Sequence, residues 1–390
     1  MRGICQCAVL TNQPLPRIIY GKDRKEKYGI LPTKTNSMNN TLCHFKPDAE
    51  IAAKRWEAYW QKEVLDRPIL RAAVKKDNYD FRKDSTYYDR VHGDMDRILD
   101  DHLHNCAGIH FLGDLMPGFW MSFGTHEFAQ YMGAKVVWTE SKMDTCWVEP
   151  MVRDWKMQAP LRIDPDNKYW KRYMDFYRRS AEIFAGQVLP YAPDFHTNMD
   201  LLLSVRGDSE LCFDVIDCPE YIDRFMEDAR EVFRFAWQEC RRAGKMDELG
   251  YWYSAYSEKS TLTLACDFTA LVGPEHCRRW IIPTLEYEAG LVDNVSFHWD
   301  GPAALRHFDD IMGVEKIHTI AYMPNPGESH LAYLDLYKKI QGMGKSVDIF
   351  GSPEEIIEAN KVLKPHLTSY TVSTKITLKE YDELEKKLML

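Results

Sequence analysis

The chain of 390 residues is 45 % apolar and 28 % charged, with a formal net charge of −9, a balance that excludes a disordered polymer and supplies material for a large core. The acidic surplus speaks against nucleic acid as a partner, because phosphate binding draws on a basic surface. No run approaches the roughly 20 consecutive apolar residues that a membrane helix needs, and the apolar stretch at 8–10 is too brief for a secretory signal. A cytoplasmic protein with no membrane partner is therefore expected.

Residues 1–46 mix Pro14, Pro16 and Pro32 with lysine and asparagine and show little periodicity, which reads as an extended or poorly ordered leader; Met38 within it offers an alternative start. Cys5 and Cys7 are the one close pair among ten cysteines, and the others are scattered singly. Reduced thiols are expected, with no disulfide framework.

A single domain is expected over 47–390. Residues 47–63 read as an amphipathic helix with Ala53, Trp56, Tyr59 and Trp60 set among charges, and 68–74 as the strand that follows. A second strand spans 108–112 and stops at Gly113-Asp114, ahead of Pro117-Gly118 and an aromatic loop. Helix 218–243 opens on Pro219, whose missing N–H costs nothing in a first turn. It carries Tyr221, Phe225, Ala229, Val232, Phe233 and Ala236 at helical spacing, with Gly244 as its terminator. From 250 onward the pattern gives strands 250–256, 261–266, 293–298, 317–322, 346–350 and 367–373. Helices 274–289, 302–311, 330–342, 353–363 and 377–388 lie among them. Such alternation builds parallel strands with helices outside, and no G-x-G-x-x-G follows a strand to mark a dinucleotide fold. The fold class expected is α/β, as a (β/α)8 TIM barrel.

In such a barrel the chemistry sits where strands end. Asp114 closes 108–112. Asp200 and Arg206 flank the apolar run 201–205, and Asp267 closes 261–266. His298 and Asp300 lie in His298-Trp299-Asp300-Gly301, which closes 293–298. Each has a plainer job available: Asp before Gly ties turns, Asp267 is placed to bond loop backbone, and His298 would serve as a hydrogen-bonded core residue. Their recurrence at the ends of successive strands favours a shared site. Trp120, Trp252 and Tyr253, with the aromatic residues beside them, line either a stacking pocket for a flat or sugar-like ligand or the packed interior. His307, inside a helix, is expected to pack. Neither H-E-x-x-H nor C-x-x-C occurs, and Cys277 is the last cysteine. A mixed Asp267, His298 and Asp300 metal site is allowed by ligand chemistry, but no metal is expected. There is also no G-x-S-x-G elbow and no Walker A loop.

The segment from His298 to Gly301, continuing through Pro302-Ala303-Ala304-Leu305-Arg306-His307, resembles the uroporphyrinogen decarboxylase superfamily, which includes cobalamin-dependent methyltransferases. Gly113-Asp114-Leu115-Met116-Pro117, Asp200 with Val205-Arg206-Gly207, and Cys266-Asp267-Phe268 before Gly273-Pro274-Glu275 look like a divergent decarboxylase-like or corrinoid-methyltransferase-like branch. The resemblance covers about 47–390 and implies a barrel with its site at the C-terminal mouth. The chain lacks the R-Q-A-G-R segment with which the decarboxylases grip carboxylates. Asp300 stands where the thiol-methylating members carry the first zinc-binding cysteine, so zinc is not implied.

The activity implied is a substrate-side methyltransferase, moving a methyl group from a small O- or N-methyl compound to a corrinoid carried by a partner protein. Asp267 or Asp300 would be the acid with His298 as its partner, and Asp114, Trp120, Asp200, Arg206, Trp252 and Tyr253 would bind substrate. A homodimer is compatible with that fold. Three other readings stay open: a decarboxylase or lyase acting on another substrate, a glycoside-cleaving barrel using paired aspartates, and a non-catalytic ligand-binding barrel.

Overall fold

The computed structural model describes residues 44–139, 142–193 and 195–390. The leader up to residue 43, with Cys5, Cys7 and Met38, lies outside the described residues. Among the described residues thirteen strands run in chain order: β1 (Ile69–Lys75), β2 (Ile109–Gly113), β3 (Gly118–Phe119), β4 (Val136–Thr139), β5 (Lys142–Val148), β6 (Leu189–Pro190), β7 (Tyr251–Tyr253), β8 (Ala255–Ser257), β9 (Thr261–Ala265), β10 (Asn294–Asp300), β11 (Thr319–Met323), β12 (Ser346–Gly351) and β13 (Thr368–Val372). Seven form one sheet in the order β2-β1-β13-β12-β11-β10-β9. Every pairing in it is parallel except β1 with β2. Among the described residues β3 pairs with β6, β4 with β5 and β7 with β8 as separate two-stranded pieces. The molecule is thus mixed α/β, with a mostly parallel sheet and many helices.

Side chains alternate between the faces of a strand, and the register turns that rule into two chemically distinct surfaces. Thr263, Ser296 and Thr319 stand in line across β9, β10 and β11, with Ser346 next on β12; Asp348 and Ser369 are neighbours one step further on. The opposite face carries Leu264, Phe297, Ile320, Val347, Ile349 and Tyr370, all buried in one core with the helix residues Leu285, Ile311, Ile340, Ile356 and Leu384. Apolar burial against the helices holds the sheet, at about 25 cal/mol per Å² of apolar surface removed from water. The other face is left lined by small polar side chains, where barrels and sheets commonly carry branched aliphatic ones.

The helix Ala49–Trp60 lies across the N-terminal ends of the strands. Its Tyr59 hydroxyl is 3.0 Å from Thr319 Oγ1 at the start of β11, and its Trp60 ring packs edge-on to His318, just before that strand. Trp56 Nε1 donates to the Asp114 carbonyl at 2.8 Å. This end of the sheet is therefore closed, and the C-terminal strand ends are left to form a mouth.

Several expected elements differ in detail. The strand at 108–112 exists, but as β2 it runs antiparallel to β1. Gly113, in the left-handed region at φ +61°, turns the chain so that Asp114 N donates to Leu70 O at 2.7 Å. The run 201–205 is the interior of a helix, Met199–Arg206. The segment 250–256 folds back on itself as β7 and β8 through Ser254, at φ +51°. Helix 274–289 is broken by a wider π turn at Cys277–Ile281, immediately before Ile282-Pro283. Pro283 has no N–H for the regular bond pattern, and its ring crowds the preceding turn. Helix Pro219–Ala243 forms as its periodicity requires. No helix among the described residues is long and apolar enough to cross a membrane, and the described cysteines are free thiols.

Candidate functional site

Asp267 follows β9 directly and opens a short 3₁₀ turn, Asp267–Ala270. The neighbouring β10 places His298 opposite Ala265, so the polar face of the sheet carries His298, Asp300 and, two residues beyond Ala265, Asp267 to the same end. The fourth acidic or basic group comes from the helix Met199–Arg206. Asn198 caps it, accepting from Met199 N at 2.9 Å, and Asp200 lies in its first turn. Asp200 then holds the loop after β9: Asp267 N donates to its Oδ2 and Phe268 N to its Oδ1, each at 2.8 Å. From the other side of the turn, His196 Nδ1 lies 3.7 Å from Asp200 Oδ2 and 3.8 Å from Asp267 Oδ2. Ligand-type atoms of His196, Asp200 and Asp267 all fall within 4.8 Å of one another, so this trio has the spacing to hold a metal ion.

Charge is poorly balanced here. The Asp267 carboxyl is pushed up to about 6, by burial first and by the Asp200 carboxylate second; His196 and His298 oppose the rise and Asp300 adds to it. Its side chain is 48 % exposed, which conflicts with burial as the leading cause. The surface it shows is that of an open mouth, while the mass of protein around it is that of an interior position. The direction of the shift stands on the two neighbouring carboxylates as well.

Three further side chains support the cluster. His307, fully buried, places Nε2 3.0 Å from Thr269 O and 3.1 Å from Val272 O. It donates to both and ties down the turn that carries Asp267. Glu288, fully buried in the helix Ile282–Ala289, accepts from Thr197 Oγ1 at 3.0 Å. Its carboxyl is raised to about 8 by burial, with Asp200 adding to the rise and the Thr197 hydroxyl, the Asn198 N–H and Arg230 opposing it. The turn it braces is strained: Asn198 sits at φ +61°, ψ −136°, a region sparsely used by residues other than glycine and met most often at functional sites. His126, at φ +61° before the helix Glu127–Tyr131, is near enough that His196 and Asp200 act on its charge. Its Nδ1 is shut off from water without a hydrogen-bond partner.

Of the residues singled out from sequence, the structure brings Asp200, Asp267, His298 and Asp300 together. It does not bring Asp114. Because β2 runs against β1, Asp114 lies at the N-terminal end of the parallel strands, where its carboxylate bonds Arg67 at 2.5 Å, Leu70 N at 2.9 Å and Arg55 at 3.4 Å, wholly buried. Arg206 closes the eight-residue helix in whose first turn Asp200 lies, about 9 Å further along its axis. It holds Asp214 at 2.6 Å and the carbonyls of Val152 and Arg153. Trp252 is buried against Trp56 and Tyr191. Tyr253 stands edge-on to Tyr191, and Trp120 packs on Tyr87 with the Arg90 guanidinium over its ring. His126, His196 and Glu288 are the members that sequence reasoning missed. His196 precedes the helix across the positive-φ turn at Asn198, so no helical spacing marked it in the sequence.

No family model matches the sequence, and no curated protein does. Among solved structures the chain is similar to a methyltransferase from Methanosarcina mazei, with a TM-score of 0.58 over 86 % of this chain and 97 % of that one, at 11 % identity. A likeness at that identity shows the fold.

Proposed function

We propose that this chain is a methyltransferase of the uroporphyrinogen decarboxylase-like kind, taking a methyl group from a small O- or N-methyl compound and passing it to a corrinoid on a partner protein. The observation that carries the reading is the convergence of Asp267, His298, Asp300 and Asp200 at one end of parallel strands, in a fold like that of a methyltransferase. A (β/α)8 barrel accounts for that end being the site. Pairing of the first long strand, β1, with the last, β13, is what a sheet closing into a barrel requires. The short pieces β3, β6 and β7 would then fill the gap between β9 and the other end of the sheet.

Loss of a methyl group leaves its oxygen or nitrogen with the bonding electron pair, and an oxygen leaving group needs a proton in the same step. Asp267, with a carboxyl near 6, is suited to give it at neutral pH, because an acid works best when its pKa lies near the working pH. His298 and Asp300 hold that carboxyl and the substrate in register. The corrinoid, when bound by its carrier, supplies the nucleophile that accepts the methyl group. The mouth suits such a visitor: His196 and Asp267 are 42 % and 48 % exposed, open to a group presented from outside the chain.

The test is demethylation of a panel of methoxy-aromatic compounds and methylamines with a reduced corrinoid protein, followed by the absorbance of the methylated corrinoid. Turnover is expected with at least one methoxy compound, and Asp267→Asn should lower it by about 10²- to 10⁴-fold. No demethylation across the panel would refute the reading.

A further inference from the structure

We propose that His196, Asp200 and Asp267 bind one divalent transition-metal cation of the zinc type, through one imidazole nitrogen and two carboxylate oxygens. The donor set is apt: imidazole and carboxylate suit zinc and its neighbours, and three protein ligands with a free position for water or substrate are the pattern of working metal centres. It uses neither His298 nor Asp300, the positions to which the family resemblance points, and with an ion in place Asp267 would be an ionised ligand, the proton for the leaving group then coming from water on the metal.

Geometry favours an ion over a direct contact. His196 Nδ1 faces the two carboxylates at 3.7 and 3.8 Å, beyond hydrogen-bond range. Ligands about 2.0 to 2.1 Å from a tetrahedral metal stand about 3.4 Å from one another; the two separations from His196 exceed that by a few tenths of an ångström, and all three lie within 4.8 Å. After burial, the charges that act most on Asp267 are two carboxylates and two imidazoles, with no lysine or arginine among them. A cation is what this grouping lacks. Asp200 is already oriented by the backbone N–H groups of Asp267 and Phe268, as ligands fixed by their outer partners are.

A separate element supplies an independent sign. His126 comes from the loop before the helix Glu127–Tyr131, and its Nδ1 is buried with no hydrogen-bond partner. It lies close enough to His196 and Asp200 to feel their charge. Buried polar atoms are rarely left without a partner, and the usual explanation is an ion or an ordered water. A water on a metal held by the trio would be one such partner.

The probe is the metal alone. Protein stripped with a chelator is titrated with Zn²⁺ by calorimetry and with Co²⁺ by visible absorption, with no methyl donor or carrier present, so the outcome is independent of the methyl-transfer reading. One equivalent should bind to the wild-type chain. His196→Ala and Asp267→Asn should each weaken binding about 100-fold or more, since loss even of an outer partner costs 10- to 100-fold. Both side chains are nearly half exposed, so neither change threatens the fold, and thermal melts check this. Failure of the wild-type chain to take up one equivalent would overturn the proposal, as would wild-type affinity in both variants.

Discussion

Glu288 offers the sharpest test of how the site is held. Its carboxyl, fully buried, is raised from 4.5 to about 8, so at pH 7 the neutral form outweighs the ionised one by roughly ten to one. In the unfolded chain the same carboxyl titrates near 4.5. Between those two values the folded protein holds the extra proton, and stability falls as pH rises, by about 1.4 kcal/mol per unit. Across the window from 4.5 to 8 the loss is about 5 kcal/mol; below it the stabilisation is complete, and above it the slope vanishes. Glu288→Gln keeps an oxygen to accept from Thr197 Oγ1 and cannot ionise. Its stability relative to the wild type should therefore climb through that window and level off above it. Urea denaturation of both proteins at intervals from pH 5 to pH 9 reads the difference, and the carboxylic C=O stretch in an infrared difference spectrum at pH 7 reads the proton itself. Midpoints that run parallel across the whole range would mean that Glu288 is ionised in the folded protein, and the reasoning would fall.

Asp348→Ala leaves the Arg71 guanidinium, 3 % exposed, without its carboxylate and Ser369 without its acceptor; a loss of about 3 to 5 kcal/mol in chemical denaturation is expected, and an unchanged midpoint would contradict it. Asp114→Ala strips Arg67 of its buried partner and should cost a similar amount while leaving metal affinity per folded molecule unchanged. In metal-free protein, a carbon-detected NMR titration should find the Asp267 carboxyl near 6; Asp200→Asn should lower that value by removing a like charge, and His196→Ala should raise it.

Helix Pro219–Ala243 and most helices and strands after residue 250 were legible because their burial is periodic and strong. Helix Pro219–Ala243 buries Ile222, Phe225, Met226, Ala229, Val232, Phe233, Ala236 and Trp237 on one face, the spacing that an apolar stripe demands. The break at Cys277–Ile281 was hidden because the apolar pattern continues through it; only Pro283 marked it. The doubling back of 250–256 was hidden for a similar reason. Tyr251, Trp252, Ala255 and Tyr256 are all buried, so nothing in their hydrophobicity marks the reversal, which rests on one residue, Ser254, in a left-handed conformation.

Half of the site could be read from strand ends, and the rest turned on strand direction and on one choice of period. A single strand carries no local sign of whether it runs with its neighbours or against them. Asp114 and Asp267 each close an apolar strand, yet β2 runs against β1. One carboxylate therefore ends among arginines beneath the sheet, and the other at the open mouth. The run 201–205 fits either a buried strand or a buried helix segment, an ambiguity that short apolar runs carry by nature. Taken as a strand, it sends residues 196 and 200 ahead of an extended segment with no reason to converge. The helix in fact starts only at Met199, after a turn at Asn198 with φ +61°, and that turn folds the chain so that His196 Nδ1 lies 3.7 Å from Asp200 Oδ2. The polar trio is then a consequence of the turn at Asn198 and of strand direction at β9, and the buried Glu288, accepting from Thr197, braces that turn from beneath.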